Sequence, residues 1–351
     1  MERPVALVVG ATGAAAARLV EHLARDRGWT VHGVCRRRPP PGAPFRHVAA
    51  DLMDAEATRA AFASLRDVTH VFYASRAPFA EGGLEDVAGN VAMLRNVVDA
   101  IEAAAPALAH VHLVEGGKWY GLHLGPYRTP AREDDPRHMP PNFYYDQEDL
   151  LAARARAGGW SWSASRPNVI CDFAPGRGRN LVSIVGAYAA ICRAVGAPMD
   201  FPGTQAGFRS LTEVTDARLF ARAAVHIATT PACRDRAVNV TNGDLLRFEN
   251  VWPAFADAFG VAPGRPRPFR LACWMADKAP LWRRIAEDHG LALPDIADVA
   301  AWGFGDFVFG QEHDVISDLG RLRRSGFCEH LDSEAMFLDH FRSYREAKIL
   351  P

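Results

Sequence analysis

Two residues of this 351-residue chain could together move or stabilise charge on a substrate oxygen: Lys118, in Gly116-Gly-Lys118-Trp-Tyr120, and Tyr144, in Asn142-Phe-Tyr144-Tyr. A phenol and an ammonium one helical turn apart, as YxxxK, would let the ammonium lower the phenol's pKa and hold a ribose. That spacing fails here, because Tyr144 is followed four residues later by Glu148 and Tyr145 by Asp149. The YxxxK that does occur, Tyr344 to Lys348, is close to the C-terminal end and reads as chance. Lys118 lies just past a strand ending near Val114, and Tyr144 opens the next helix. Both would then face the C-terminal edge of a sheet, giving two donors aimed at one oxygen. An ordinary loop lysine and a core tyrosine are the competing reading. Of 40 basic residues, Lys118, Lys278 and Lys348 are the lysines and the rest are arginines, so a compact ammonium at this place is suggestive.

A second group of residues suits a dinucleotide. Gly10-Ala-Thr12-Gly13-Ala14 follows the first strand directly and opens the first helix, where unpaired N–H groups and the positive end of the helix dipole favour a pyrophosphate. After the second strand stand Arg36, Arg37 and Arg38, where an NAD site usually carries an acidic residue. Guanidinium groups grip a 2′-phosphate that a carboxylate would repel, so the cofactor reads as NADP(H). Asp51, after the third strand, could accept a hydrogen bond from adenine or could cap a helix.

The elements that must position these residues alternate strand and helix. Strands are expected at Val5 to Val9, Thr30 to Val34, Arg46 to Ala49, Thr69 to Tyr73, His110 to Val114 and Trp160 to Arg166. Helices are expected at Ala14 to Arg25, Ala55 to Leu65, Leu84 to Ala104 and Asn142 to Ala157. This is the pattern of an α/β fold, a doubly wound parallel Rossmann sheet of about six strands, with a smaller, mostly helical C-terminal substrate lobe. Residues 1–170 would form the NADP-binding domain, with segments near 205–245 returning to it, and 171–351 mainly the substrate lobe. The aromatic stretch with Trp274, Trp282, Trp302, Phe304, Phe307 and Phe309 reads mostly as that lobe's core, with a substrate cap as the other possibility.

Composition removes several classes. With 41 acidic against 40 basic residues and 49% apolar content, neither a nucleic-acid nor a membrane surface is indicated. No transmembrane run or cleavable leader is seen, so a cytoplasmic protein is expected. Six scattered cysteines form no CxxC pair, and His110 and His112 lack further ligands, so no metal is expected. Apolar stripes for a core and for a homodimer interface look alike, which leaves a homodimer open.

The chain resembles the extended short-chain dehydrogenases/reductases of the progesterone 5β-reductase and iridoid synthase (PRISE-like) type. The likeness is carried by Gly10-Ala-Thr-Gly13, Gly33-Val-Cys-Arg36-Arg37, Asp51-Leu52, Gly116-Gly-Lys118-Trp-Tyr120, Asn142-Phe-Tyr144-Tyr-Asp146, Ser165-Arg-Pro167 and Asn239-Val-Thr-Asn-Gly243. The resemblance implies NADPH-dependent reduction of an activated carbon–carbon double bond, with Lys118 and Tyr144 as the catalytic pair. It places Thr12, Gly13 and Ala14 at the pyrophosphate, Arg36 and Arg37 at the 2′-phosphate, and Asp51 and Leu52 at the adenine. Ser75 and Ile170 would lie along the cofactor, with Arg177, Gly178 and Arg179 approaching it. Departures fall at the substrate end: Arg76 stands where the family has tryptophan, Asn168-Val169-Ile170 where it reads Gly-Asn-Ile, and Arg177 to Arg179 replace a more apolar triplet. The partner expected is a small hydrophobic enone or carbonyl compound. Carbonyl reduction, sugar-nucleotide epimerisation on the same fold, and a non-catalytic NADP sensor are the alternatives.

Overall fold

A computed structural model describes residues 3–26, 28–78 and 85–351. In chain order its first strands are Val5–Val9 (β1), Thr30–Val34 (β2), Arg46–Val48 (β3), His70–Tyr73 (β4), His110–Val114 (β5) and Ser161–Pro167 (β6). Shorter ones follow at Ile170–Cys171 (β7), Met199–Phe201 (β8) and Thr215–Asp216 (β9), then Arg236–Val240 (β10). Seven of these form one parallel sheet in the order β10-β6-β5-β4-β1-β2-β3, and β7 pairs with β9 apart from it. The order reverses direction after β1, so the C-terminal ends of β1 and β4 flank a crevice of the kind where ligands bind in such sheets.

The sheet has one strand more than the six read from the sequence. Arg236–Val240 supplies it by pairing along β6, with all but its first residue buried. The signal was hidden because this strand comes long after the first-half alternation has stopped.

Helices cover both faces because strands as apolar as Val-Ala-Leu-Val-Val of β1, buried along its whole length, cannot face water on either side. Ala14–Arg25 (α1), Ala55–Phe62 (α2), Val87–Ala104 (α3) and Phe143–Gly158 (α4) lie in the first half. Leu181–Ala194 (α5), Gln205–Arg209 (α6) and Ala217–Thr229 (α7) follow. One face joins α1 and α7 through Leu19, Leu23, Phe220 and Ile227, and the other joins α2, α3 and α4 through Phe62, Leu94, Val97 and Leu151. The helix expected from Leu84 begins at Val87, where Asp86 caps it by accepting from Gly89 N. Leu84 itself lies outside the described residues.

A further core gathers around α5, which is buried along most of its length, with Trp252, Trp282, Phe309, Phe337 and Phe341. Trp282 and Phe309 are thus core, whereas Trp274 is exposed, and Phe304 and Phe307 are partly buried. Each fully buried ring such as Phe309 contributes about 2–3 kcal/mol by leaving water.

Between β5 and β6 runs a ladder of imidazoles and hydroxyls. His110 hydrogen-bonds with Ser161 (2.8 Å) and Ser163 (2.7 Å), and His112 with Ser163 (2.8 Å) and Ser165 (3.0 Å). The alternation puts both rings on one face, as their spacing predicts, and the serines satisfy all four ring nitrogens. Among the described residues no group of three or more His, Cys, Asp or Glu could hold a metal, and no helix is long and apolar enough to cross a membrane.

Candidate active site

At the C-terminal end of β1 the chain makes a tight turn. Gly13 N donates to Gly10 O (2.7 Å), and Gly10 N to Val34 O (3.0 Å), which locks the turn against β2. Gly10 has φ +82°, and a Cβ there would lie 2.8 Å from Ser75 Oγ, so only glycine fits between the turn and the end of β4. Gly13 precedes α1 with no side-chain cap, leaving the helix's first amides facing the crevice.

That crevice is a cavity of about 300 Å³, lined by Gly10, Thr12, Gly13, Arg36, Asp51, Leu52, Ser75 and Arg76 among others. These include most of the residues expected to hold the cofactor. Arg37 is exposed beside Arg36, and its carbonyl accepts from the Cys35 thiol (3.2 Å). Ala14 is the first residue of α1. Asp51 does not cap α2: Asp54 does, while Asp51 accepts from Met53 N (3.1 Å) and stays exposed at the rim. A narrow turn without a Cβ, an uncapped helix N-terminus, a basic rim and an acceptor at the far end suit a dinucleotide phosphate in chemistry and in shape.

Arg76 links this cavity to the second part of the site. Lys118 lies in a single helical turn, Gly117–Tyr120, that ends at Gly121 (φ +85°), where a Cβ would meet the His138 ring at 2.7 Å. Asn142, buried before α4, ties the two predicted residues together: its Nδ2 donates to Lys118 O (2.9 Å) and its Oδ1 accepts from Tyr144 N (3.2 Å). Residues far apart in sequence are therefore held side by side through their backbones, which no YxxxK helix requires.

The turn carrying Lys118 sits on a buried ion network. Arg166 Nε donates to Glu115 Oε2 (2.7 Å) and its Nη2 to Glu148 Oε2 (2.8 Å), while its guanidinium stacks 3.6 Å from the centre of the Trp119 ring. Burial alone works against the Arg166 charge, yet Glu115, Tyr120 and Glu148 hold its pKa above the ordinary value. Burial pushes the Glu115 carboxyl up, while the Arg166 guanidinium bonded to it favours the charged form. Sequence reasoning did not give Glu115 or Glu148 this role, since carboxylates that share an arginine carry no spacing signal.

Around the Tyr144 hydroxyl the charges are mixed. Burial raises its pKa, Arg76 and Arg179 act to lower it, and Glu85 and Glu115 act to raise it. Glu85 Oε1 accepts from Lys118 Nζ (2.5 Å) and from Arg76 Nη2 (3.0 Å). The Tyr144 hydroxyl has no hydrogen-bond partner among the described residues, and a Cβ on Gly116 would lie 3.4 Å from it. Sequence reasoning missed Glu85 because a lone acid in a loop has no recognisable pattern.

Arg179 Cζ lies 4.5 Å from the centre of the Phe304 ring, and Lys118 Nζ 5.9 Å from that of Phe307. These two rings of the aromatic stretch reach the site. Gly178 is pressed against Ala297–Ala301, where a Cβ would meet Ala297 O at 2.7 Å, and so packs on that loop. Arg177 is half-buried, with Asp172 and Tyr344 as its electrostatic neighbours, and Ile170 pairs with Thr215 between β7 and β9. None of Ile170, Arg177, Gly178 and Arg179 lines the cavity beside Gly10. Tyr344 accepts from Ala174 N (2.9 Å) and from Asn180 Nδ2 (3.1 Å), so the tyrosine of the C-terminal YxxxK is structural.

The parallel sheet and the crevice at the ends of β1 and β4 define a Rossmann fold. Solved structures of that fold share its whole course: a UDP-glucose 4-epimerase of Thermotoga maritima with UDP-glucose has a TM-score of 0.68 at 14% identity, covering 97% of this chain and 99% of that one. The Bordetella bronchiseptica enzyme WbmH in complex with NAD+ has a TM-score of 0.63 at 14% identity, covering 98% and 99%. Within this fold the chain belongs to the PRISE-like Rossmann-fold domain family, whose model matches residues 47–351. It is 34% identical to an (S)-8-oxocitronellyl enol synthase of Nepeta racemosa over 99% of this chain and 91% of that protein. It is 33% identical to the 3-oxo-Delta(4,5)-steroid 5-beta-reductase of Arabidopsis thaliana, over 99% and 93%.

Proposed function

We propose that this protein is an NADPH-dependent oxidoreductase that reduces a carbon–carbon double bond conjugated to a ketone or aldehyde. The observation that carries the reading is the Tyr144 hydroxyl, which feels the charges of Arg76 and Arg179 and has no hydrogen-bond partner among the described residues. Similarity to a relative named a 3-oxo-Delta(4,5)-steroid 5-beta-reductase, along 99% of this chain, supports the same reaction class.

When bound, the cofactor supplies a hydride to the β-carbon of the enone. Thr12, Gly13 and Ala14 would hold its pyrophosphate at the start of α1, and Arg36 and Arg37 a 2′-phosphate at the rim. Asp51 and Leu52 would take the adenine side, and Ser75 the middle. Burial keeps Tyr144 in its protonated form, so it acts as a hydrogen-bond donor to the enolate oxygen, not as a base. Lys118 adds positive charge at the same oxygen, and a proton from water reaches the α-carbon.

An NADPH-oxidation screen over small and bulky enones, with products identified by mass and by whether the carbonyl survives, tests this. Saturated ketones or aldehydes are expected; allylic alcohols would overturn the reading.

A further inference from the structure

The peptide group between Val34 and Cys35 is bonded on both sides. Its carbonyl accepts from Gly10 N (3.0 Å) and Ala11 N (3.1 Å) of the glycine turn, and its N–H donates to Val48 O (3.2 Å) of β3. The next carbonyl, that of Cys35, accepts from His47 Nε2 at 3.0 Å, so this ring nitrogen carries the proton. Two residues on, Arg37 O accepts from the Cys35 thiol at 3.2 Å, which closes a small loop around Arg36. Phe45 folds the rest of the excursion back onto β2, its ring occupying the space that a Cβ on Gly33 would need.

Cys35 is buried in the wall of the crevice, between Val34 and Arg36. Burial pushes its thiol up, so it remains protonated and can donate. The guanidiniums of Arg36, Arg37 and Arg38 are in contrast exposed and, among the described residues, make no hydrogen bond or ion pair. Their backbone is held while their charges are left for a ligand. A side chain that bonds a carbonyl two residues on restricts the turn to one shape, and groups ordered before binding cost a ligand less. A phosphate gains most from such order, because a planar guanidinium grips it with paired hydrogen bonds.

We propose that Cys35 and His47 are positioning residues for the 2′-phosphate of the cofactor: they fix the turn that carries Arg36 and Arg37 relative to the Gly10–Gly13 turn, and so set the preference for NADPH over NADH. This rests on the NADPH reading above and adds to it two residues that act through backbone carbonyls and not by charge.

The test titrates the full chain with NADPH and with NADH, follows the fluorescence of the bound nicotinamide, and reads the ratio of the two Kd values without turnover. The wild type should bind NADPH about tenfold tighter or more. Cys35→Val keeps the bulk and loses the donor, so the ratio should shrink by about three- to tenfold, with most of the change in the NADPH constant. Cys35→Ser, which keeps a donor, should stay near the wild type. His47→Leu should shrink the ratio too, and His47→Gln, which can still donate, should shrink it less. Equal Kd values in the wild type would remove the NADPH reading and this proposal with it. A wild-type preference that survives unchanged in Cys35→Val and His47→Leu would leave the reading standing and overturn the positioning role. Equal weakening of both cofactors in these variants would overturn it as well, since a loosened crevice wall does not tell a phosphate from a hydroxyl. A Cys35→Ser variant no better than Cys35→Val would overturn the thiol's part.

Discussion

Lys118 Nζ donates to Glu85 Oε1 at 2.5 Å, so its ammonium is held by a carboxylate and not by the Tyr144 phenol. A charge shared in this way stabilises an enolate less than a free one, whereas the Tyr144 hydroxyl has no competing protein partner. Tyr144→Phe should therefore lower kcat on a good enone by about 10²–10³, the usual cost of losing one donor to a developing oxyanion. Lys118→Met should cost less, roughly tenfold, because Glu85 already neutralises much of its field. Steady-state turnover of the two variants decides this, and a larger loss in Lys118→Met would reverse the proposed roles.

Arg36 lines the cavity that begins at Gly10, and Arg37 is exposed next to it. Replacing both with serine removes the groups proposed to distinguish a 2′-phosphate from a hydroxyl and leaves the Gly10–Gly13 turn untouched. The KM for NADPH should rise about tenfold or more while that for NADH changes little, since each guanidinium–phosphate contact is worth roughly 1–3 kcal/mol. Parallel effects on both cofactors would make the cluster ordinary surface.

Much of this site could be read from the chain because it depends on local rules. The Gly10 turn follows a buried strand and opens α1, and a position between a backbone turn and Ser75 demands glycine. The bounds of β1, α1, β2 and β5 follow directly from apolar alternation and helical spacing. What could not be read is set by pairing across the fold. β10 became legible only as the neighbour of β6, and Glu85, Asn142 and Glu115 acquired roles only through partners brought close by the sheet. The departure at Arg76 was visible as a residue type, but its shared carboxylate was not.

The imidazoles on β4 and β5 make stability depend on acid. Burial lowers His70 to about 4, His110 to about 2 and His112 to about 3, against an ordinary value of 6.5. The unfolded chain binds more protons than the folded one below pH 6.5, so the stability these groups contribute is whole above that pH and falls as acid is added. From pH 6.5 to pH 5 the loss should be about 2 kcal/mol for each of the fully buried pair His110 and His112. Chemical denaturation across this range measures it, and His112→Gln should flatten the dependence. An unchanged slope in that variant would mean that His112 takes up its proton as readily in the folded chain as in the unfolded one.

Arg166 joins the sheet to the turn that presents Lys118, bonding Glu115 and Glu148 while covering the Trp119 ring. Arg166→Met keeps the bulk over Trp119 but leaves two carboxylates facing each other without a cation, one of them fully buried. Breaking one side of a buried pair typically costs about 3–5 kcal/mol, so Tm should fall by several degrees. The loss should shrink when Glu115→Gln is added, because the uncompensated charge is then gone. If the double variant is no more stable than Arg166→Met alone, the arginine acts through its stacking on Trp119, and the carboxylates contribute little to holding Lys118 in place.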